Sequence, residues 1–157
     1  MRLLIIAVGH KMPEWINAGY NEYARRIPRA LRLELKEIKP AARSGGKGAI
    51  RQWLTIEAER VRAELPARSF KVVLDERGKL GTTRELADRI ENCKQEGLDV
   101  AFVIGGADGT AHDLQLEADS LLSLSRMTLP HGLCRVILAE QLYRAVSLLA
   151  GHPYHRA

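Results

Sequence analysis

The chain has 157 residues, which is enough for one hydrophobic core and short for two ordinary domains. Hydrophobic residues make up 46% and charged residues 27%, a globular balance that excludes wholesale disorder. No stretch resembles a signal peptide or approaches the ~18 apolar residues of a membrane span, and the two cysteines lack metal-ligand spacing. We therefore expect one domain over residues 1–157 in the cytoplasm, with no membrane association, no bound metal and no disulfide.

The formal net charge of +5 is unevenly distributed along the chain. Residues 1–78 carry sixteen Lys and Arg against nine Asp and Glu, and most of the excess lies between Arg25 and Arg51. Such clustering is typical of a surface that binds a polyanion, since each cation near a phosphate releases condensed counterions. A solvated face explains the same charge equally well. Aromatic residues are only 5% of the chain, which argues against a stacking platform for single strands.

Strands and helices alternate along the chain. Apolar runs or alternating apolar residues predict strands at 2–8, 31–35, 70–74, 100–104 and 121–124. Helical spacing, N-caps and helix stops predict helices from about 13 onward and over 48–65, 82–96, 113–118 and 133–150. Residues 41–48, rich in glycine, are predicted to be a mobile loop. Repeated strand-then-helix units indicate an α/β fold with a mostly parallel sheet flanked by helices.

The strand at 100–104 ends in a glycine-rich turn that begins at Gly105 and Gly106. Parallel sheets bind ligands at the carboxyl edge, and paired glycines allow the backbone to approach a nucleoside or a phosphate closely. The turn is neither a dinucleotide fingerprint nor a P-loop. A tight strand-to-helix connection explains the two glycines about as well.

The segment from Leu124 to His131 follows the last predicted strand and offers hydroxyls and free backbone groups. Such a loop is able to hold a purine by main-chain hydrogen bonds while Met127 or Leu129 packs on its face. Read in isolation, an ordinary strand-to-helix connection is the favoured interpretation.

The last helix is apolar on more than one face. One stripe consists of Leu138, Leu142, Ala145 and Leu149, and further apolar residues on the opposite side are Leu133, Ile137 and Leu148. Burial on two sides indicates a partner subunit, with a deep position inside the chain as the alternative. The polar Glu140 and Arg144 have the spacing of a weak surface pair. The tail at 152–156 carries two imidazoles, a phenol and a guanidinium, which favours a functional end over a solvated remnant.

Taken together, these pieces resemble the family of ribosomal RNA large subunit methyltransferases H, within the SPOUT superfamily of knotted methyltransferases. The resemblance covers essentially the whole chain and rests on Ala7-Val8-Gly9, Ile104-Gly105-Gly106-Ala107-Asp108-Gly109, Ser123 to His131, Ala139-Glu140-Gln141-Leu142-Tyr143-Arg144-Ala145 and His152-Pro153-Tyr154-His155-Arg156. It implies methyl transfer from S-adenosyl-methionine to N3 of a pseudouridine in a stem-loop of large-subunit (23S) ribosomal RNA. It also implies a homodimer and a C-terminal trefoil knot, a topology that general rules disfavour.

The resemblance also implies which residues form the site. The cofactor is expected at Leu74, Gly105, Gly106, Leu124, Ser125, Arg126, Met127, Thr128 and Leu129. From the clustered positive charge and the tail rather than from the resemblance, RNA contacts are expected at Arg25, Arg26, Arg43, Lys47 and Arg156. N3 of a uracil-type ring carries a proton, so the site must remove it or stabilise the imide anion. Arg144 is the candidate for stabilising the anion, and Tyr154 or His155 for positioning the base or relaying the proton.

Two other functions are compatible with the residues. A ribosome- or RNA-binding module without catalysis would use the basic segment between Arg25 and Arg51 equally well. An α/β enzyme that binds another nucleotide at Gly105 and Gly106 is the second, although no acidic residue follows at the ribose-binding distance of a dinucleotide fold.

Overall fold

A computed structural model describes residues 1–44 and 46–156; Gly45, Ala157 and the side chains of Lys47 and His155 lie outside the description. Its strands are β1 (Leu3–Val8), β2 (Leu33–Ile38), β3 (Ser69–Leu80), β4 (Asp99–Ile104) and β5 (Ser120–Ser123). Its α-helices are α1 (Glu14–Ala24), α2 (Ile50–Glu64), α3 (Thr83–Glu96), α4 (His112–Glu117) and α5 (His131–Leu149). Short 3-10 helices occupy Lys47–Ala49 and Pro153–His155.

The strands form one sheet in the order β2-β1-β4-β3-β5, and every neighbouring pair is parallel. Side chains alternate between the two faces of β1, an interior strand between β2 and β4. Leu3 and Ile5 pack in a core cluster with residues of α1, α3 and α5. Leu4 and Ile6 pack in a second cluster with residues of α2 and α4. The predicted α/β architecture with a parallel sheet between two layers of helices is therefore confirmed.

Two strands differ from their predicted bounds for identifiable backbone reasons. β2 begins at Leu33 because Arg32 has a φ of 38°, which interrupts extended backbone. β3 continues to Leu80, past the predicted end at Leu74. Its register to β5 is irregular, since Leu74 and Lys79 both lie opposite Leu122. Residues 75–78 thus form an excursion within β3 above the carboxyl end of β5.

The excursion closes through Gly78. A Cβ atom at this position would lie 2.7 Å from the backbone carbonyl of Leu121, so only glycine allows the two strands to approach this closely.

The predicted boundaries of α3 are confirmed: Thr82 and Glu85 form a capping box, and Gly97 ends the helix in the left-handed conformation.

The segment at 41–44, which begins the loop predicted to be mobile, contacts α2. Ala41 is buried, and its backbone N–H donates to the buried carboxylate of Glu57 at 2.9 Å. Trp53 donates its indole N–H to the carbonyl of Ser44 at 3.1 Å. Both partners, Glu57 and Trp53, lie on α2, which anchors the first half of the loop beside the sheet.

The strand pairings do not test the C-terminal trefoil knot, which stays a prediction.

Candidate functional site

A cavity of about 610 Å³ lies at the carboxyl edge of the sheet. It is formed where β3, β4 and β5 end, as parallel strands require, and α5 begins beside it. The lining includes eight of the nine residues predicted to hold the cofactor, namely Leu74, Gly105, Gly106, Leu124, Ser125, Met127, Thr128 and Leu129. Arg126 lies in the same loop but is exposed and does not line the cavity.

The turn from Gly105 to Gly109 is too tight for a side chain at its first position. A Cβ atom on Gly105 would lie 2.6 Å from the carbonyl carbon and oxygen of Gly109. The N–H of Gly109 donates to the carbonyl of Gly106 at 3.1 Å and closes the turn. Because no side chain covers Gly105 or Gly106, their backbone forms one wall of the cavity.

The loop from Leu124 to Pro130 is ordered by its own hydroxyl groups. Ser123 donates its hydroxyl to the carbonyl of Ser125 at 2.8 Å, and the N–H of Met127 donates to the Ser125 hydroxyl at 2.9 Å. The Thr128 hydroxyl donates to Glu76 at 2.8 Å, which ties this loop to the β3 excursion. Met127 remains exposed at the mouth.

The excursion adds lining residues that the sequence did not indicate. Asp75, Glu76 and Arg77 line the cavity, and Asp75 accepts a hydrogen bond from the side-chain amide of Gln115 at 3.0 Å. Arg77 pairs with Asp75 at 3.4 Å, so the excursion brings two carboxylates and one guanidinium to the cavity. Sequence reasoning missed them because the strand pattern stops at Leu74, and the signal available was Gly78 inside a polar run.

A buried guanidinium holds the loop after β1 next to the cavity. Arg135 on α5 is 1% exposed and donates to the carbonyl of Gly9 at 2.9 Å. Its other terminal nitrogen pairs with Glu37 at the end of β2 at 2.7 Å. A charged residue inside an apolar helix was the only sequence signal for this role.

The predicted catalytic residues Arg144 and Tyr154 lie away from this cavity. Cys134 lines the cavity, and Arg144 follows ten residues later on the same helix, which is about 15 Å along its axis. Tyr154 packs beside Arg144, with its ring centroid 4.9 Å from the guanidinium. One copy of the chain therefore does not bring these residues to the predicted cofactor site, which the sequence prediction had not foreseen.

Glu140 organises this second cluster, which we call the tail cluster (Tyr23, Arg26, Glu140, Tyr143, Arg144 and Tyr154). Its carboxylate accepts from Arg144 at 2.8 Å and from the Tyr154 hydroxyl at 3.1 Å. Burial and the Glu140 charge raise the pKa of Tyr154, while the hydrogen bond to Glu140 raises the pKa of Arg144. Tyr154 therefore keeps its proton at neutral pH and acts as a hydrogen-bond donor. The Glu140–Arg144 pair, expected to be a weak surface pair, is largely buried.

The predicted RNA contacts divide between the two ends of the molecule. Arg25 and Arg26 both pair with Glu22, and Arg26 also lies 5.8 Å from the ring centroid of Tyr143 in the tail cluster. Arg156 is exposed after the 3-10 helix at 153–155. Arg43 lies at the other end and pairs with Glu57 and Asp108. The side chains of Lys47 and His155 lie outside the described residues.

Residues 1–44 and 46–156 form neither a metal site nor a membrane-spanning helix. Within these ranges, no group of three or more His, Cys, Asp or Glu has the arrangement of a metal site. None of the helices described there is long and apolar enough to cross a membrane. The cavity suits a cofactor of nucleoside size, since its volume lies in the range of small-molecule pockets and its wall is bare backbone.

Comparison with known sequences gives matches over the full length. A family model described as "Predicted SPOUT methyltransferase" matches residues 1–155. Proteins named ribosomal RNA large subunit methyltransferase H are similar: one from Laribacter hongkongensis is 56% identical over 99% of both chains. Those from Nitrosospira multiformis and Burkholderia cenocepacia are 56% and 55% identical over 100% of both chains.

Comparison with solved structures supports the fold. A probable methylase family protein from Haemophilus influenzae aligns with a TM-score of 0.55 at 16% identity, covering 99% of this chain and 70% of that one. A probable methyltransferase from Bordetella pertussis aligns with a TM-score of 0.54 at 15% identity, covering 92% and 93%.

Proposed function

Because this chain belongs to the SPOUT methyltransferase family, we propose that it methylates large-subunit (23S) ribosomal RNA with S-adenosyl-methionine as donor. The observation that carries the proposal is 55–56% identity, over the full length, to proteins named for this activity. The finer target, by family resemblance, is N3 of a pseudouridine in a stem-loop of the assembled ribosome. Such a substrate places the enzyme, a single SPOUT-type domain, in the cytoplasm.

The cavity has the chemistry that this cofactor requires. The bare backbone of Gly105 and Gly106 and the loop from Leu124 to Leu129 would hold the adenosine part through main-chain groups and apolar contacts. Asp75 is paired with Arg77, so the carboxylate of Glu76 is the one that would complement the positive charge of the cofactor. When bound, S-adenosyl-methionine supplies an electrophilic methyl group whose leaving group needs no acid.

The protein must act on the nucleophile, because N3 of the target base carries a proton. A guanidinium near O2 or O4 would stabilise the imide anion as that proton leaves, a role for Arg144. Tyr154 would help to position the base beside Arg144, with its raised pKa keeping it protonated and its hydroxyl hydrogen donated to Glu140. His155 is the remaining candidate for receiving the proton.

A homodimer would unite the two halves of the site. The tail cluster lies about 15 Å along α5 from the cavity of its own chain, so the tail of a second copy is the source we propose. Apolar residues remain partly accessible on α5, at Leu133, Ile137 and Leu148, and Trp15 on α1 is 61% exposed. Such residues are suited to an interface between two copies.

Methylation of ribosomes from a strain lacking the enzyme tests the activity. Purified protein and S-adenosyl-methionine are expected to add one methyl group to a pseudouridine of the large-subunit RNA, detected by nuclease mapping and mass spectrometry. Gly105→Val serves as the control, since its Cβ would lie 2.6 Å from the backbone of Gly109 and the side chain would distort this wall of the cavity. RNA binding without methyl transfer by the wild type would favour the non-catalytic RNA-binding module instead.

Mixing two inactive variants tests the shared site. Gly105→Val is expected to lack a working cavity, and a chain ending at Gly151 lacks the tail. If each site combines the cavity of one copy with the tail of the other, the mixed dimers regain activity that neither variant has alone. Absence of activity in mixtures that light scattering shows to contain mixed dimers would contradict the shared site.

A further inference from the structure

Arg43 links the segment at 41–44 to the glycine turn of the cavity. One terminal nitrogen donates to Glu57 and to the carbonyl of Ala41, both at 3.0 Å. The other terminal nitrogen lies 3.1 Å from a carboxylate oxygen of Asp108. We call this chain of contacts, from Glu57 through Arg43 to Asp108, the Arg43 bridge. Along the sequence, Arg43 is 14 positions from Glu57 and 65 positions from Asp108.

The inner end of the Arg43 bridge is rigid. Glu57 is 3% exposed, and its bonded oxygen also accepts from the backbone N–H of Ala41 at 2.9 Å. A carboxylate this deeply buried requires a cation and N–H donors to offset its lost hydration. The guanidinium of Arg43 also lies 4.8 Å from the ring centroid of Trp53, which fixes its plane. Arg43 is therefore held from two sides on α2.

The outer end of the bridge reaches the cavity. Asp108 lies in the turn from Gly105 to Gly109 and lines the cavity itself. The pair is about one-third exposed on each side, so it is weaker than the inner pair and can be remade when the turn moves. Both terminal nitrogens of Arg43 are engaged by carboxylates, which leaves it fewer free donors for a phosphate than an unpaired arginine has.

We propose that Arg43 is a positioning residue that couples occupation of the cofactor cavity to the placement of the basic segment at 39–44. A cofactor bound against Gly105 and Gly106 sets the position of Asp108. Asp108 in turn sets the position of the Arg43 terminal nitrogen with which it pairs. The segment that begins at Lys39 is thereby ordered for RNA when the cofactor is present. This inference rests on the proposed cofactor site.

Trp53 provides a reporter for the coupling. The chain has two tryptophans, and Trp15→Phe leaves Trp53, stacked on Arg43, as the only indole. Titration with S-adenosylhomocysteine is expected to change Trp53 emission, with a midpoint equal to the calorimetric Kd. Asp108→Asn removes the outer pair and leaves Glu57 paired, so it should abolish the emission change and weaken binding about two- to fivefold. Asp108→Glu should restore both.

Asp113→Asn is the matched control, because it makes the same change in an ion pair with Arg62 that does not touch the cavity. It should leave the emission change and the Kd at their wild-type values. Hydrogen exchange of the amides at 41–44 gives a second readout without any tryptophan substitution. S-adenosylhomocysteine should slow exchange in the wild type and not in Asp108→Asn.

The outcomes separate the coupling from the function it rests on. Binding to the wild type with no response of Trp53 and no slowed exchange would overturn the coupling and leave the proposed function standing. Unchanged responses in Asp108→Asn would also overturn the coupling. Absence of calorimetric binding to the wild type would overturn both proposals.

Discussion

Gly105→Ala adds a single methyl group to the turn that forms one wall of the cavity. The new Cβ would lie 2.6 Å from the carbonyl carbon and oxygen of Gly109 and 2.9 Å from the Thr110 methyl group. Ordinary van der Waals contact begins at 3.4 Å, and the closest atoms are backbone, so the turn must open by roughly 0.8 Å. Overpacking of this kind costs about 1–3 kcal/mol.

If that strain falls on the conformation that binds the cofactor, the Kd for S-adenosylhomocysteine should rise about 5- to 150-fold. Gly106→Ala is the matched control, because its Cβ would meet the Val8 side chain at 3.1 Å rather than backbone. We expect the control to bind within about threefold of the wild type.

Isothermal titration calorimetry measures the two Kd values, and circular dichroism with thermal melting shows whether each variant is folded. A folded Gly105→Ala protein that binds as tightly as the wild type would refute the assignment of this turn to the cofactor. The reasoning would also fail if Gly106→Ala lost more affinity than Gly105→Ala, since the contacts predict the opposite order.

Two further predictions use the pKa directions in the structure. Burial raises the pKa of the Cys134 thiol, so its alkylation by iodoacetamide should be slow at neutral pH and accelerate only at alkaline pH. Because Cys134 lines the cavity, S-adenosylhomocysteine should block the alkylation, which intact-protein mass spectrometry follows. Alkylation that S-adenosylhomocysteine leaves unaffected would argue against a cofactor beside Cys134. Glu140→Gln removes a charge that raises the pKa of Tyr154, so ultraviolet titration should show tyrosinate forming at lower pH. Since a raised folded pKa stabilises the protein only while the phenol is protonated, wild-type stability should fall as pH rises through that pKa, and less steeply in Glu140→Gln. An unchanged titration would contradict the Tyr154–Glu140 contact.

Most of the secondary structure was predictable because it depends on local patterns. Continuous apolar runs such as residues 3–8 identify strands buried on both faces, and the capping signals at Thr82 and Gly97 identify helix ends within one residue. The position of the cavity followed as well, since parallel strands bring their carboxyl ends to one edge. Gly105 and Leu124 follow the ends of β4 and β5, and Leu74 lies where β3 leaves its register, so the three residues meet in one cavity.

The tertiary structure decided the contacts that cross between distant segments. Asp75 and Glu76 enter the cavity because β3 leaves its register and returns through Gly78, a path that no local periodicity encodes. Arg43 is a basic residue in a basic segment by sequence, and only the packing of α2 and the glycine turn surrounds it with two carboxylates.

The separation of Arg144 from the cavity has the same origin. Sequence patterns predict that Arg144 lies toward the C-terminal end of the last helix and that the loop lining the cavity precedes its N-terminal end. The distance between Arg144 and the cavity depends on how that helix packs against the sheet. Local periodicity reflects which face of an element is buried, and it is settled by a few neighbouring residues. Ion pairs and cavities depend on how whole elements dock, and this is determined only when the complete chain packs.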